Sequence, residues 1–200
     1  MPQISTNFRI GESWKINSKF ENRFILYQYP FEGTVRRAAY ERSDLEFVVT
    51  RSIGPLKNLG AGYLVRRIDK DGSFLHRSIQ QYSLSQEFTS LLLSHRFRTD
   101  QTFEKNEAVQ FRLRYRISIE KPLNGLQVDP DEFYLKVNNE YLGILKSGKG
   151  NMEIRLLASV GYNLSESNQI EAGLDYRVEN IIGRGKKNLL LITVGWYDSF

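Results

Sequence analysis

From Val109 to Lys121 the chain reads VQFRLRYRISIEK, and its residues alternate without a break. Val109, Phe111, Leu113, Tyr115, Ile117 and Ile119 fall on one side, while Gln110, Arg112, Arg114, Arg116, Ser118 and Glu120 fall on the other. Period two over such a length defines a strand with one wholly apolar and one wholly polar face. A helix would spread the same arginines around its whole circumference. Globular strands run to about five or six residues. At roughly 3.3 Å per residue and a tilt near 45°, eleven residues cover about 25 Å, the height of an outer-membrane apolar band.

The pattern recurs toward the C-terminus. Met152–Tyr162 sets Met152, Ile154, Leu156, Ala158, Val160 and Tyr162 against Glu153, Arg155, Leu157, Ser159 and Gly161. Ile170–Asn180 and Phe133–Tyr141 repeat it, and Leu190–Phe200 does so with an interruption at Asp198. The N-terminal half is less regular, with candidate strands at Phe8–Ile16, Arg23–Tyr29, Leu45–Ser52, Leu59–Ile68, Leu75–Leu84 and Leu91–Phe103. Turn chemistry separates them at Asn17-Ser18, Gly54-Pro55, Asp69–Gly72, Glu104–Asn106, Asn124-Gly125 and Lys149–Asn151. Asp129-Pro130-Asp131 also reads as a turn. No linker divides the chain. The expected fold is all-β: one up-and-down antiparallel transmembrane barrel of 10–12 strands over residues 1–200, with residues 1–20 a plug or the first strand. Eleven candidates conflict with the even strand number usual for bacterial barrels, so a miscounted or hidden strand is implied.

Composition narrows the chemistry. There is no cysteine, which excludes disulfides, thiolate metal sites and thiol nucleophiles. His76 and His95 are the only histidines. Uncharged stretches such as Asn188–Tyr197 run about ten residues, short of the roughly 20 a spanning helix needs. Met1–Ser5 lacks the basic and apolar regions of a secretory signal, so an envelope location requires a mature or recombinant form. His95 and Ser94 are adjacent on a strand and point to opposite faces, so they form no nucleophile–base pair. There is no Walker-type loop, GxGxxG or HExxH. Neither enzyme activity nor a cofactor or metal is expected. Because Phe111 and Tyr115 lie opposite Arg112, Arg114 and Arg116, stacking and phosphate-binding groups share no face, which argues against nucleic acid.

If the strands close, the polar face lines a lumen. Arg96, Arg98, Arg112, Arg114 and Arg116 would stand on one wall and Glu140, Glu153, Glu171, Asp175 and Glu179 on the other, paired across it. Counting back from the C-terminus makes Lys146, Lys149, Arg184, Lys186 and Lys187 a cationic extracellular rim suited to lipopolysaccharide phosphates. Two rival readings are a narrow passive channel and a soluble lipocalin-like barrel around an apolar ligand.

Through His95–Arg98, Phe111–Arg116 and Asn139-Glu140, with Trp14, Gly60–Tyr63 and Gly161-Tyr162, the chain resembles a family of small outer-membrane β-barrels. That family belongs to Bacteroidetes-type Gram-negative bacteria and is catalogued as a domain of unknown function. The resemblance implies a barrel in the bacterial outer membrane, in contact with lipid and lipopolysaccharide, monomeric or bound to another envelope protein. It carries over no catalytic residue. Trp196 and the terminal Phe200 match the C-terminal signature of substrates of the barrel insertion machinery.

Overall fold

A computed structural model describes residues 1–25, 39–70, 72–183 and 185–200. They form eleven strands and no helix: β1 (Pro2–Ile10), β2 (Trp14–Ile25), β3 (Ala39–Gly54), β4 (Lys57–Ile68), β5 (Phe74–Phe88), β6 (Leu91–Glu104), β7 (Gln110–Pro122), β8 (Glu132–Lys146), β9 (Lys149–Asn163), β10 (Asn168–Glu179) and β11 (Lys187–Ser199). Each strand pairs with its neighbours in sequence, and β1 closes the ring onto β11. The fold is therefore a closed all-β barrel.

Closure resolves the parity question without a hidden strand. An odd number of up-and-down strands leaves the first and last running in the same direction, and β1 pairs with β11 in parallel, from Pro2 opposite Val194 to Asn7 opposite Ser199. The other ten contacts are antiparallel, so the expectation of a wholly antiparallel barrel fails at this one seam. Met1 consequently lies at one mouth and Phe200 at the other. The connections β4–β5, β6–β7, β8–β9 and β10–β11 share the mouth of Met1, here the N-terminal mouth. The connections β1–β2, β3–β4, β5–β6, β7–β8 and β9–β10 share the C-terminal mouth.

Residues 1–20 are β1 and the start of β2 rather than a plug. The expected strand Phe8–Ile16 straddles the real turn at Gly11–Ser13, and the expected turn at Asn17-Ser18 lies inside β2. The cause is local chemistry. Asn17 faces inward, its Nδ2 donating to Ser5 Oγ and Asn7 Oδ1, both at 2.9 Å. Its polarity thus serves the lumen and mimics a turn signal. Likewise the β8–β9 turn is Ser147-Gly148 rather than Lys149–Asn151. Both turn residues have positive φ (52° and 73°), as a two-residue hairpin of matching twist requires. Of the expected strand Arg23–Tyr29, residues 26–29 lie outside the described residues, as do 31–38 of the connection that follows.

The wall is apolar outside and polar inside. On β7, Phe111 and Leu113 are exposed at 52% and 64%, and between them and beyond, Arg112, Arg114 and Arg116 point inward. Among the described residues forty large hydrophobic side chains are exposed, against six that are buried. Most of those six explain the weaker alternation of the N-terminal half. Val48, Leu64, Leu75 and Ile79 point inward, so β3–β5 carry apolar residues on both faces. At the C-terminal end of the lumen, the Tyr134 ring lies flat over Gly161 of β9, where even a Cβ would overlap it.

Candidate functional site

The charged lining of the lumen is the site the sequence points to, and the strands bring its parts together. Glu140 on β8 is the centre. Its carboxylate accepts from Arg114 Nη2 (2.7 Å) and Arg116 Nε (2.9 Å) on β7, from Arg96 Nη2 (3.2 Å) on β6 and from Arg155 Nη1 (3.4 Å) on β9. Arg98 reaches across the lumen from β6 to β3, where Nη1 and Nη2 donate to the two oxygens of Glu46 at 3.0 and 2.8 Å. Its Nε donates to Asp100 Oδ1 (2.7 Å), and Asp100 also accepts from Arg114 Nη1 (3.2 Å). Planar guanidinium forks on several strands thus knit non-adjacent parts of the wall.

The remaining expected carboxylates pair differently from the wall-to-wall arrangement read from the sequence. Glu153 pairs with Arg155 (2.5 Å) and Asp175 with Arg177 (2.6 Å), each two residues along its own strand. Residues i and i+2 share a face, so a lysine or arginine placed there reaches its partner without crossing the barrel. Glu171 takes Lys136 Nζ (2.9 Å) and the Tyr134 hydroxyl (2.9 Å). Among the described residues Arg112 and Glu179 line the cavity without an ion pair. Sequence reasoning missed Asp44, Glu46, Asp100, Arg66 and Arg77. The signal existed as inward parity on β3–β6, but it was masked by the inward apolar residues there.

Within this lining lies a cavity of about 600 Å³. Its wall carries charged groups in place of an apolar surface, which removes the lipocalin-like reading.

At the N-terminal mouth the cationic rim takes shape at strand ends rather than in loops. Lys146 closes β8, Lys149 opens β9 and Lys187 opens β11, with Lys186 just before it. Lys146 pairs with Glu107 of the β6–β7 turn (3.1 Å), while Lys149, Lys186 and Lys187 are exposed. Arg184 lies outside the described residues. Asn151 Nδ2 of β9 donates to Oδ1 of Asn180, the residue that follows β10 (2.5 Å). At the opposite mouth Trp196 and Phe200 are exposed on the outer face, and Phe200 stacks on Phe8 of β1 at 5.4 Å. His76 and Ser78 face outward, where His76 lies beside the Tyr63 ring (6.0 Å) and Ser78 Oγ donates to Gln101 Oε1 (2.5 Å), and His95 Nδ1 contacts the Tyr115 hydroxyl (2.8 Å) on the same outer face.

A closed barrel with an apolar exterior and an ion-paired interior is the class that fold and lining define. The chain belongs to the family described as protein of unknown function (DUF2490), whose model matches residues 2–188. No curated protein matches the chain, and no solved structure does.

Proposed function

We propose that this barrel is an integral protein of a Gram-negative outer membrane, acting as a scaffold or partner-binding subunit of an envelope complex. The observation that carries the reading is the inverted polarity of the wall. Soluble monomers rarely expose apolar patches beyond a few hundred Å², whereas here the apolar face runs around the ring. Strands of twelve to sixteen residues, all but the nine-residue β1, are long enough to cross a hydrocarbon layer when tilted. Aromatic residues gather toward both mouths on the outside, as Phe24 and Tyr40 (5.8 Å) at one and Phe133 and Tyr162 (4.7 Å) at the other. Rings at both edges of an apolar band suit the two membrane interfaces. In that setting Trp196 and Phe200 serve as the insertion signal. The full chain is expected to need detergent and to migrate faster on gels unheated than boiled; a monodisperse protein in plain buffer overturns the reading.

The exposed lysines at the N-terminal mouth would bind lipopolysaccharide phosphates by charge attraction. Lys186→Glu with Lys187→Glu is expected to weaken lipopolysaccharide binding in a pull-down, and unchanged binding discards that role. A second reading, a narrow passive channel, is favoured by the cavity itself. It requires steady single-channel currents in planar bilayers that Arg114→Glu alters.

A further inference from the structure

The cavity wall carries thirteen lysines and arginines against eight aspartates and glutamates. With Asp100, and with Glu41 and Glu120, which pair with Arg23 and Lys136 of that wall (3.1 and 3.2 Å), the counts become thirteen against eleven, still a surplus of positive charge. The surplus is concentrated in place. Arg66 is third from the end of β4, Arg77 fourth on β5 and Arg112 third on β7, all at the N-terminal mouth. Arg66 is held by a fork to Asp44 (2.7 and 2.5 Å). Arg77 and Arg112 have only neutral partners among the described residues. Arg77 Nε donates to Thr102 Oγ1 (2.9 Å), and Gln110, with its amide oxygen turned inward, accepts from Arg112 Nε (2.9 Å) and Nη2 (3.2 Å). Glu104, on the same face of β6, is half-buried and pairs with none of them.

Arg77 is the most exacting case. It is 2% exposed, stands between the inward Leu75 and Ile79, and its Nη2 is buried without any hydrogen-bond partner. A buried cation with a free donor and no ion-pair partner of its own is costly unless something supplies the charge. Arg66, Arg112 and Arg114 are the strongest like charges acting on it, opposed chiefly by Asp100.

We propose that the N-terminal mouth of the lumen is a binding site for a small oxyanion of the phosphate class, held by Arg77 and Arg112 with Arg66 beside them. Guanidinium groups present paired N–H donors that match two oxygens of one anion, which favours an oxyanion over a halide. The cavity, at about 600 Å³, admits a small solute. The site is a property of the barrel interior and stands whether or not the barrel sits in a membrane.

The test is the thermal unfolding midpoint of the full chain in uncharged detergent micelles, with sodium phosphate replacing sodium chloride at fixed ionic strength. A ligand bound by the folded state alone raises the midpoint with its concentration. Phosphate is expected to raise it at millimolar levels where chloride does not. Arg77→Gln with Arg112→Gln should abolish the rise while leaving the midpoint in chloride equal or higher, because the charges removed were uncompensated. Should the double variant fail to fold, Arg112→Gln alone, at a half-exposed position, is expected to weaken phosphate about tenfold. Lys186→Gln with Lys187→Gln should keep the response. The proposal is overturned by a wild-type midpoint indifferent to phosphate or by a response that Arg112→Gln leaves at the same phosphate concentration. A response seen only with anionic phospholipid in the micelle would put the anion on the rim, and that also overturns it.

Discussion

Glu140 accepts from four arginines on three strands, and among the described residues no other carboxylate gathers as many. Neutralising it leaves those guanidinium groups facing one another in a buried setting. Removing one member of a buried ionic network costs about 3–5 kcal/mol. Glu140→Gln, close in shape, is therefore expected to lower resistance to urea by about that amount, measured by the gel shift between folded and unfolded forms. Tyr134 and Gly161 form a second residue-scale lock, one ring on one missing side chain. Gly161→Ala places a Cβ into the ring and should cost about 1–3 kcal/mol. In the Tyr134→Ala background the same change should cost much less, and equal costs in both would discard the contact. The glycine was visible in the sequence, but its reason was not: nothing local in GYN announces that Tyr134, on another strand, lies across it.

At the scale of elements, the strands differ in how openly they declared themselves. β7, β9 and β10 were legible because their outer and inner residues differ sharply in polarity. β1 and β2 were not, since Ser5, Asn7 and Asn17 are small polar residues equally at home in a turn or on a wet inner wall. β3–β5 blurred for the opposite reason, with Val48, Leu64 and Ile79 turned inward. The same limit hid Arg77, which the pattern left unmarked between two apolar neighbours. Pairing carries no such local signature, and the parallel closure followed only from counting. That seam is also the shortest junction, six register pairs against the twelve to fifteen of most hairpins. Ile4 faces Trp196 across it on the outer surface. Replacing both with cysteine, in a chain that has none, should give a single disulfide that raises the unfolding midpoint. An oxidised variant no more stable than the reduced one would mean the seam does not limit stability.

For the whole molecule, charge and polarity are sorted in opposite senses to a globular domain. Arginines and carboxylates occupy the space where a core would be, and the side chains that would fill a core cover the outside. Such a barrel is held together by its continuous hydrogen-bonded ring and by the ionic network within. Eleven crossings of the wall are also an odd number of crossings, so the chain enters at one mouth and leaves at the other. In a membrane, anything joined ahead of Met1 and anything joined after Phe200 would stand on opposite sides of the bilayer. An even-stranded barrel returns both tethers to one compartment; this one would act as a rivet, fastening one thing to each face.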